Sequence, residues 1–314
     1  MTAPLRLIFM GTPDFAVASL KALLDGPDEV VAVVSQPDRP KGRGKKLSPP
    51  PVKTLAEAHG IPLLQPLKIR TEAFRDELLA FRPDLVVVAA YGRILPLSLL
   101  QLAPLGAINV HGSLLPRHRG AAPVQWAIIN GDREVGVTII QMDEGMDTGD
   151  ILLTAATVAE PDETAGSLFV KLAELGGRTL LTAIERLKAG NLPPTPQDHS
   201  RATAAPMLKK EDGIIDWSQP ADHLHCRIRG LDPWPAASCR IDGLRYSLFA
   251  PEVIHKDSAA DPGTLVSANR EGLLVATGRN LLLIREIQPE GKKRMTVSSF
   301  LCGHALKAGT HLEP

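Results

Sequence analysis

The sequence predicts a two-domain α/β chain, with a parallel, helix-covered sheet in residues 1–189, a linker in 190–207 and a small β-barrel in 208–314. Three observations carry this. Short apolar runs alternate with helix-period segments through the first half, the pattern of strands joined by helical crossovers. After Gly190 the chain collects Pro193, Pro194, Pro196 and Pro206, too much proline to continue helix or sheet. Beyond that, short strand-like runs are separated by Gly, Pro and Asp, as in small barrels.

Taken in order, residues 5–10, 29–34, 85–90 and 107–110 read as buried strands. Between the first two, Thr12 and Pro13 stand where an N-cap and a first helical residue belong. Phe15, Leu20, Leu23 and Leu24 form an apolar stripe that Gly26 ends. Further helices are expected at 52–60, 71–81 and 164–188. A strand is expected at 136–140. In the second domain, 244–249, 263–266, 272–276 and 281–287 read as strands, with one helix between Pro220 and Gly230.

Composition narrows the function classes. With 44% hydrophobic and 22% charged residues, the chain is an ordinary globular one, and a formal net charge of +0 leaves any nucleic-acid recognition to a local patch. Cys226, Cys239 and Cys302 show no Cys-x-x-Cys spacing, so neither a disulfide framework nor a thiolate zinc site is expected. No apolar run reaches the length of a membrane span and the start lacks a secretory pattern, which points to the cytoplasm. The turn after the first strand, Gly11 to Phe15, has no G-x-G-x-x-G. Walker and nucleophile-elbow motifs are absent too, which disfavours nicotinamide, P-loop and serine-hydrolase chemistry.

Two segments can carry chemistry. Asn109 and His111 are two apart at the end of a strand, so a hydrogen-bond donor and a titratable ring share one face where α/β sheets bind ligands. A structural hydrogen bond at a polar strand end is the competing reading. The stretch 141–150, QMDEGMDTGD, packs Asp143, Glu144, Asp147 and Asp150 around two glycines. A carboxylate from it, set against the imidazole, would favour the protonated ring and fix its orientation. An acidic turn is the alternative, and the spacing lacks the EF-hand ligand pattern. A third segment, 35–53, sets Arg39, Lys41, Arg43, Lys45, Lys46 and Lys53 against the single acid Asp38. Leaving the carboxyl end of its strand, this loop would overhang the crevice, where its cations can clamp nucleic-acid phosphates. A solvated charge run is the alternative.

The segments MGTPDFAV, SQPDRPKGRGKKLSPPPVK, AAYGRILP, INVHGSLLPRHRGAAPVQWAI and DEGMDTGDIL occur in order, and together they resemble the methionyl-tRNA formyltransferase family. GIIDW and RIRGLDPWP resemble that family's carboxyl-terminal domain more loosely. The resemblance implies a Rossmann-like catalytic domain followed by an OB-like β-barrel that helps to hold tRNA. It implies 10-formyltetrahydrofolate as co-substrate, no metal, methionyl initiator tRNA as acceptor and a monomer. It carries catalytic roles onto Asn109, His111 and Asp147, and folate contacts onto Ser113, Leu114, Leu115 and Pro116. tRNA contacts fall on Arg39, Lys41, Arg43, Lys45 and Lys46. Phe15 and the segment 91–96 are secondary candidates for pocket walls.

Rival readings keep part of this pattern. A folate-dependent formyltransferase acting on a glycinamide nucleotide or an amino sugar would share the three polar residues, but would not need the basic loop and the long second domain. A non-catalytic RNA-binding protein would need only loop and barrel. A hydrolase would use His111 and Asp147 to activate water.

Overall fold

The computed structural model of the 314-residue chain describes residues 3–41 and 46–314. In order they form β1 (Arg6–Gly11), α1 (Asp14–Leu24), β2 (Glu29–Val34), β3 (Arg39–Lys41), β4 (Lys46–Ser48), α2 (Pro51–Ala58), β5 (Leu63–Leu64), α3 (Glu72–Leu79), β6 (Leu85–Ala89), α4 (Leu97–Leu100) and β7 (Ala107–His111). There follow α5 (Pro123–Ile129), β8 (Glu134–Gln141), β9 (Ile151–Val158), α6 (Ala165–Lys188), α7 (Ala221–Gly230), β10 (Ser238–Ile241), β11 (Leu244–Ile254), β12 (Leu265–Asn269), β13 (Gly272–Ala276), β14 (Leu281–Pro289), β15 (Met295–Thr296) and α8 (Val297–Leu301).

Two compact units emerge. The first, Rossmann-like, gathers residues 1–123, 134–158 and 169–206 around one sheet of order β5-β2-β1-β6-β7-β8-β9. Pairings from β5 to β7 are parallel, and the order reverses between β1 and β6, the topology that opens a ligand crevice beyond the carboxyl ends. These strands are continuous β-branched and aliphatic runs because helices cover both faces. LVVVA in β6 and AINVH in β7 are buried throughout. The expected all-parallel sheet is corrected at one side: β8 runs antiparallel to β7, and β9 antiparallel to β8. Only the short loop after Gln141 joins β8 to β9, and a parallel crossover needs a dozen or more residues.

Thr71 caps α3 as expected, accepting the Phe74 amide at 3.3 Å. Thr12 does not cap α1, whose N-cap is Pro13. Its hydroxyl instead donates to the Tyr91 carbonyl (3.1 Å) and accepts the Gln36 amide (3.3 Å), tying together the segments that follow β1, β2 and β6. Phe15 packs edge-on against Phe169, with 5.3 Å between centroids. The nearly buried Lys188–Asp28 pair (2.6 Å) fastens the last turn of α6 to the turn before β2.

The stretch expected as a linker runs against this first unit. Thr195 and Ile151 exchange backbone hydrogen bonds at 2.8 Å in both directions, and Arg119 and Ala205 are joined at 2.7 Å.

The second unit, residues 124–133, 159–168 and 207–314, contains the antiparallel sheet β10-β11-β14-β13-β12, with β15 added to β14. It is the partly open barrel of OB-like type that the short strands predicted, with β10 and β15 added and β11 longer than expected. Helix α7 covers it. Arg294 lies over the Phe249 ring at 4.1 Å and also pairs with Asp232 and Glu286.

Candidate active site

Asn109 and His111 lie opposite Ile140 and Thr138 of β8, at the carboxyl end of β7. Being two apart they face the same side, and both are buried, at 9% and 5% exposure. The two side chains differ in commitment. Nε2 of His111 meets the His118 carbonyl at 2.9 Å, and Nδ1 lies 3.5 Å from Oδ1 of Asp147. The carbonyl and the carboxylate on either side of the ring can only accept. Asn109, by contrast, has no hydrogen-bond partner for its amide among the described residues.

Of the four acids in 141–150, the structure selects Asp147. Asp143 is spent on its own turn, accepting the Gly145 amide at 3.0 Å and the Thr148 hydroxyl at 2.7 Å, and Glu144 is exposed. Asp150 closes the loop through its carbonyl, which accepts the Gln141 amide at 2.9 Å. Asp147 sits at φ 55°, a left-handed conformation that an aspartate adopts at some cost, and this turns its carboxylate inward. Its Oδ2 accepts the Gly120 amide at 2.8 Å. Gly149 is required by space, since a Cβ there would stand 1.8 Å from the Gln141 carbonyl oxygen.

The segment 113–116 follows β7 shortly after His111. The Ser113 hydroxyl donates to the Arg117 carbonyl (2.6 Å), and Thr138 accepts the Leu115 amide (3.0 Å) while donating to the Ser113 carbonyl (2.7 Å). These polar groups are turned inward, leaving the partly exposed Leu114 and Pro116 as the surface on offer. Nearby, at the amino end of β7, a groove of about 610 Å³ is lined by Leu97, Leu100, Ala103, Gly106, Gln141 and Met142, and is bounded by the start of the acidic loop.

The pocket-wall candidates divide. Phe15 and Tyr91 are core residues, at 5% and 2% exposure, and burial raises the Tyr91 phenol above its ordinary range. Ile94 is exposed beside Arg93, whose guanidinium is held by Gln36 and by the Pro66 and Leu67 carbonyls.

The basic segment begins as a hairpin, with β3 and β4 antiparallel and Lys41 opposite Lys46. Arg39 is exposed at its base; Arg43 and Lys45 lie outside the described residues, as do the side chains of Lys41 and Lys46. Lys53 does not belong to the free charge. It pairs with Asp38 at 3.0 Å, and hydrogen bonds from Gln65 and then Lys53 hold the Asp38 carboxyl below its ordinary range.

One residue near the candidate site carried no local signal. Gln197, in the expected linker, is buried and donates to the Asp147 and Gly149 carbonyls at 2.9 and 2.7 Å.

Comparison with known proteins agrees with this architecture. The family model described as formyl transferase matches residues 5–184, and the one described as formyl transferase, C-terminal domain, matches 207–305. The chain is 63% identical to the methionyl-tRNA formyltransferase of Desulfotalea psychrophila over 309 residues, 98% of this chain and 96% of that protein. It is 49% identical to that of Geobacter sulfurreducens over 310 residues, 99% and 97% of the two chains. Among solved structures the fold is shared with HypX from Aquifex aeolicus in complex with tetrahydrofolic acid (TM-score 0.63, 18% identity, 95% of this chain and 47% of that one). It is also shared with an N-formyltransferase from Helicobacter canadensis in complex with folinic acid and dTDP-3-aminofucose (TM-score 0.67, 16% identity, 93% and 100%). On the strength of its close, full-length relatives, the chain belongs to the methionyl-tRNA formyltransferase family.

Proposed function

We propose that this formyltransferase moves the formyl group of 10-formyltetrahydrofolate to the α-amine of methionyl initiator tRNA, with Asn109, His111 and Asp147 as its catalytic residues. The observation that carries the reading is the juxtaposition of an uncommitted Asn109 amide with a His111 ring held between the Asp147 carboxylate and a backbone carbonyl.

In this scheme the amine nitrogen attacks the formyl carbon, the bond from that carbon to N10 breaks, and the proton lost by the amine ends on N10. Charge develops on the formyl oxygen. The Asn109 amide is the ready donor for it. His111 adds its positive charge and the Nε2–H that rests here on the His118 carbonyl, and such donors are each worth about 100-fold to 1000-fold in rate. Asp147 keeps the ring charged and oriented, and the pair relays the amine proton toward N10. Ser113, Leu114, Leu115 and Pro116, which follow His111 at the carboxyl end of β7, contact the folate.

Residues 1–189 then serve catalysis, 190–207 link, and 208–314 help to hold tRNA together with Arg39, Lys41, Arg43, Lys45 and Lys46. The chain works as a cytoplasmic monomer; among the described residues no helix is long and apolar enough to cross a membrane.

The test is formyl transfer from 10-formyltetrahydrofolate by the wild type and Asn109→Ala, with methionyl-tRNA, free methionine and an amino-sugar nucleotide as parallel acceptors. Transfer to methionyl-tRNA alone, abolished by the substitution, supports substrate and site together. Transfer to the sugar amine would move the reading to the rival substrate class.

A further inference from the structure

The stretch 195–205 is bonded to His118 and Arg119, which carry or adjoin the backbone groups that hold the His111–Asp147 pair. The His118 carbonyl, which receives His111 Nε2, belongs to a residue whose own amide donates to Thr203 Oγ1 at 2.8 Å. The Gly120 amide, which grips Asp147 Oδ2, follows Arg119, whose amide donates to the Thr203 carbonyl (2.8 Å) and whose carbonyl accepts the Ala205 amide (2.7 Å). Gly120 itself, at φ 122°, leaves no room for a side chain, because a Cβ would stand 2.7 Å from the Ala205 carbonyl oxygen. On the other side of the pair, Gln197 Nε2 donates to the Asp147 and Gly149 carbonyls. Gln197 Oε1 accepts from Arg119 Nη2 at 2.6 Å and Nε at 3.2 Å.

Gln197 therefore bridges the two loops that meet at the pair with a single side chain. Its amide donors fix the backbone of the residue held at φ 55°, and its oxygen takes the fork of the arginine beside Gly120. At 6% exposure it works out of bulk water, where such bonds are geometrically firm and costly to leave unmade. The left-handed backbone of Asp147 is held at its carbonyl by Gln197.

We infer that Gln197 is a positioning residue for formyl transfer: through the Asp147 carbonyl it sets where the Asp147 carboxylate stands relative to His111. This rests on the assignment of Asp147 and His111 as catalytic residues. A displacement of about 1 Å in such a group can cost on the order of 100-fold in rate, which sets the expected size of the effect.

The experiment compares Gln197→Ala and Gln197→Glu, each in the wild-type and the Asp147→Asn background, by steady-state formylation of methionyl-tRNA and by thermal unfolding. Gln197→Glu keeps the volume and the pairing with Arg119, so the fold is retained. It replaces both donors by a carboxylate facing two carbonyls, which pushes the loop away. In the wild-type background both variants should lower kcat by about tenfold to 100-fold, with KM for folate and for methionyl-tRNA nearly unchanged. In the Asp147→Asn background Gln197→Glu should cost almost nothing more, because the group it positions is already disabled. Wild-type kcat in folded Gln197→Glu, or an equal loss in both backgrounds, overturns the inference while leaving Asp147 in place. Full activity of Asp147→Asn alone overturns the catalytic assignment and this inference with it.

Discussion

His111 Nδ1 and Asp147 Oδ1 stand 3.5 Å apart, within reach of an ion pair and longer than a well-formed hydrogen bond, while the other Asp147 oxygen is fully engaged at Gly120. The carboxylate is thus anchored by one oxygen and poised with the other. Asp147→Asn should keep the anchor, since an amide oxygen still accepts from Gly120, and lose the negative charge beside His111 Nδ1. The expected result is a fall in kcat of about 100-fold or more with thermal stability close to wild type, read by formylation kinetics beside a melting curve.

Space around the acidic loop gives a second prediction. Gly149→Ala brings a methyl group onto the Gln141 carbonyl oxygen, so strand end and loop must part. The variant should lose about 1–3 kcal/mol of stability, measured by urea denaturation, and its kcat should fall because Asp147 moves with the loop. Unchanged stability would mean that the loop relaxes without strain.

In the second unit, His225 faces Asp162 at 4.0 Å, and burial, followed by the charge of Arg229, pushes its pKa down from 6.5 to about 4. The native state therefore refuses a proton that the unfolded chain accepts. Stability carries no penalty above pH 6.5 and is lost progressively as pH falls from there through about 4. Unfolding midpoints measured across that window should fall more steeply for the wild type than for His225→Gln. Parallel curves would remove His225 as the cause.

Asp38 pairs with Lys53, while Arg39 at the base of the hairpin is exposed. Arg43→Ala should raise KM for methionyl-tRNA, leave folate KM unchanged, and reduce the slope of log affinity against log salt by about 0.7–0.9, the share of one phosphate contact. A matching rise in folate KM would contradict the tRNA role.

The strands of the first sheet were legible because burial on both faces leaves short continuous apolar runs such as LVVVA, whose length and β-branched valines favour a strand over a buried helix. Strand β9 escaped because its residues are half-buried or exposed and its ILLTAATV mixes alanine and threonine into the run. β10 escaped because four residues, one an exposed arginine, give no periodicity. Asn109 and His111 were readable as a pair from spacing alone. The choice of Asp147 among four acids was not, because its grip comes from Gly120, 27 residues away, and local pattern says nothing of that; family resemblance singled it out. Thr12 misled for the same reason: a threonine before Pro-Asp reads as a cap, while its partners come from two other strand ends. Gln197 had no signal at all, since a glutamine in a proline-rich stretch is unremarkable until the fold lays it beside the loop.

The strap formed by residues 195–205 also gives the site a birth order. Asp147 is fifty residues ahead of Gln197 in the chain, so a ribosome adding about 5–20 residues per second makes the aspartate some seconds before the side chain that holds it. Until the strap emerges, the loops at Arg119 and Asp147 lack the side chain that joins them. The enzyme therefore matures in the direction of its own synthesis, and the segment between its two halves is what completes the first of them.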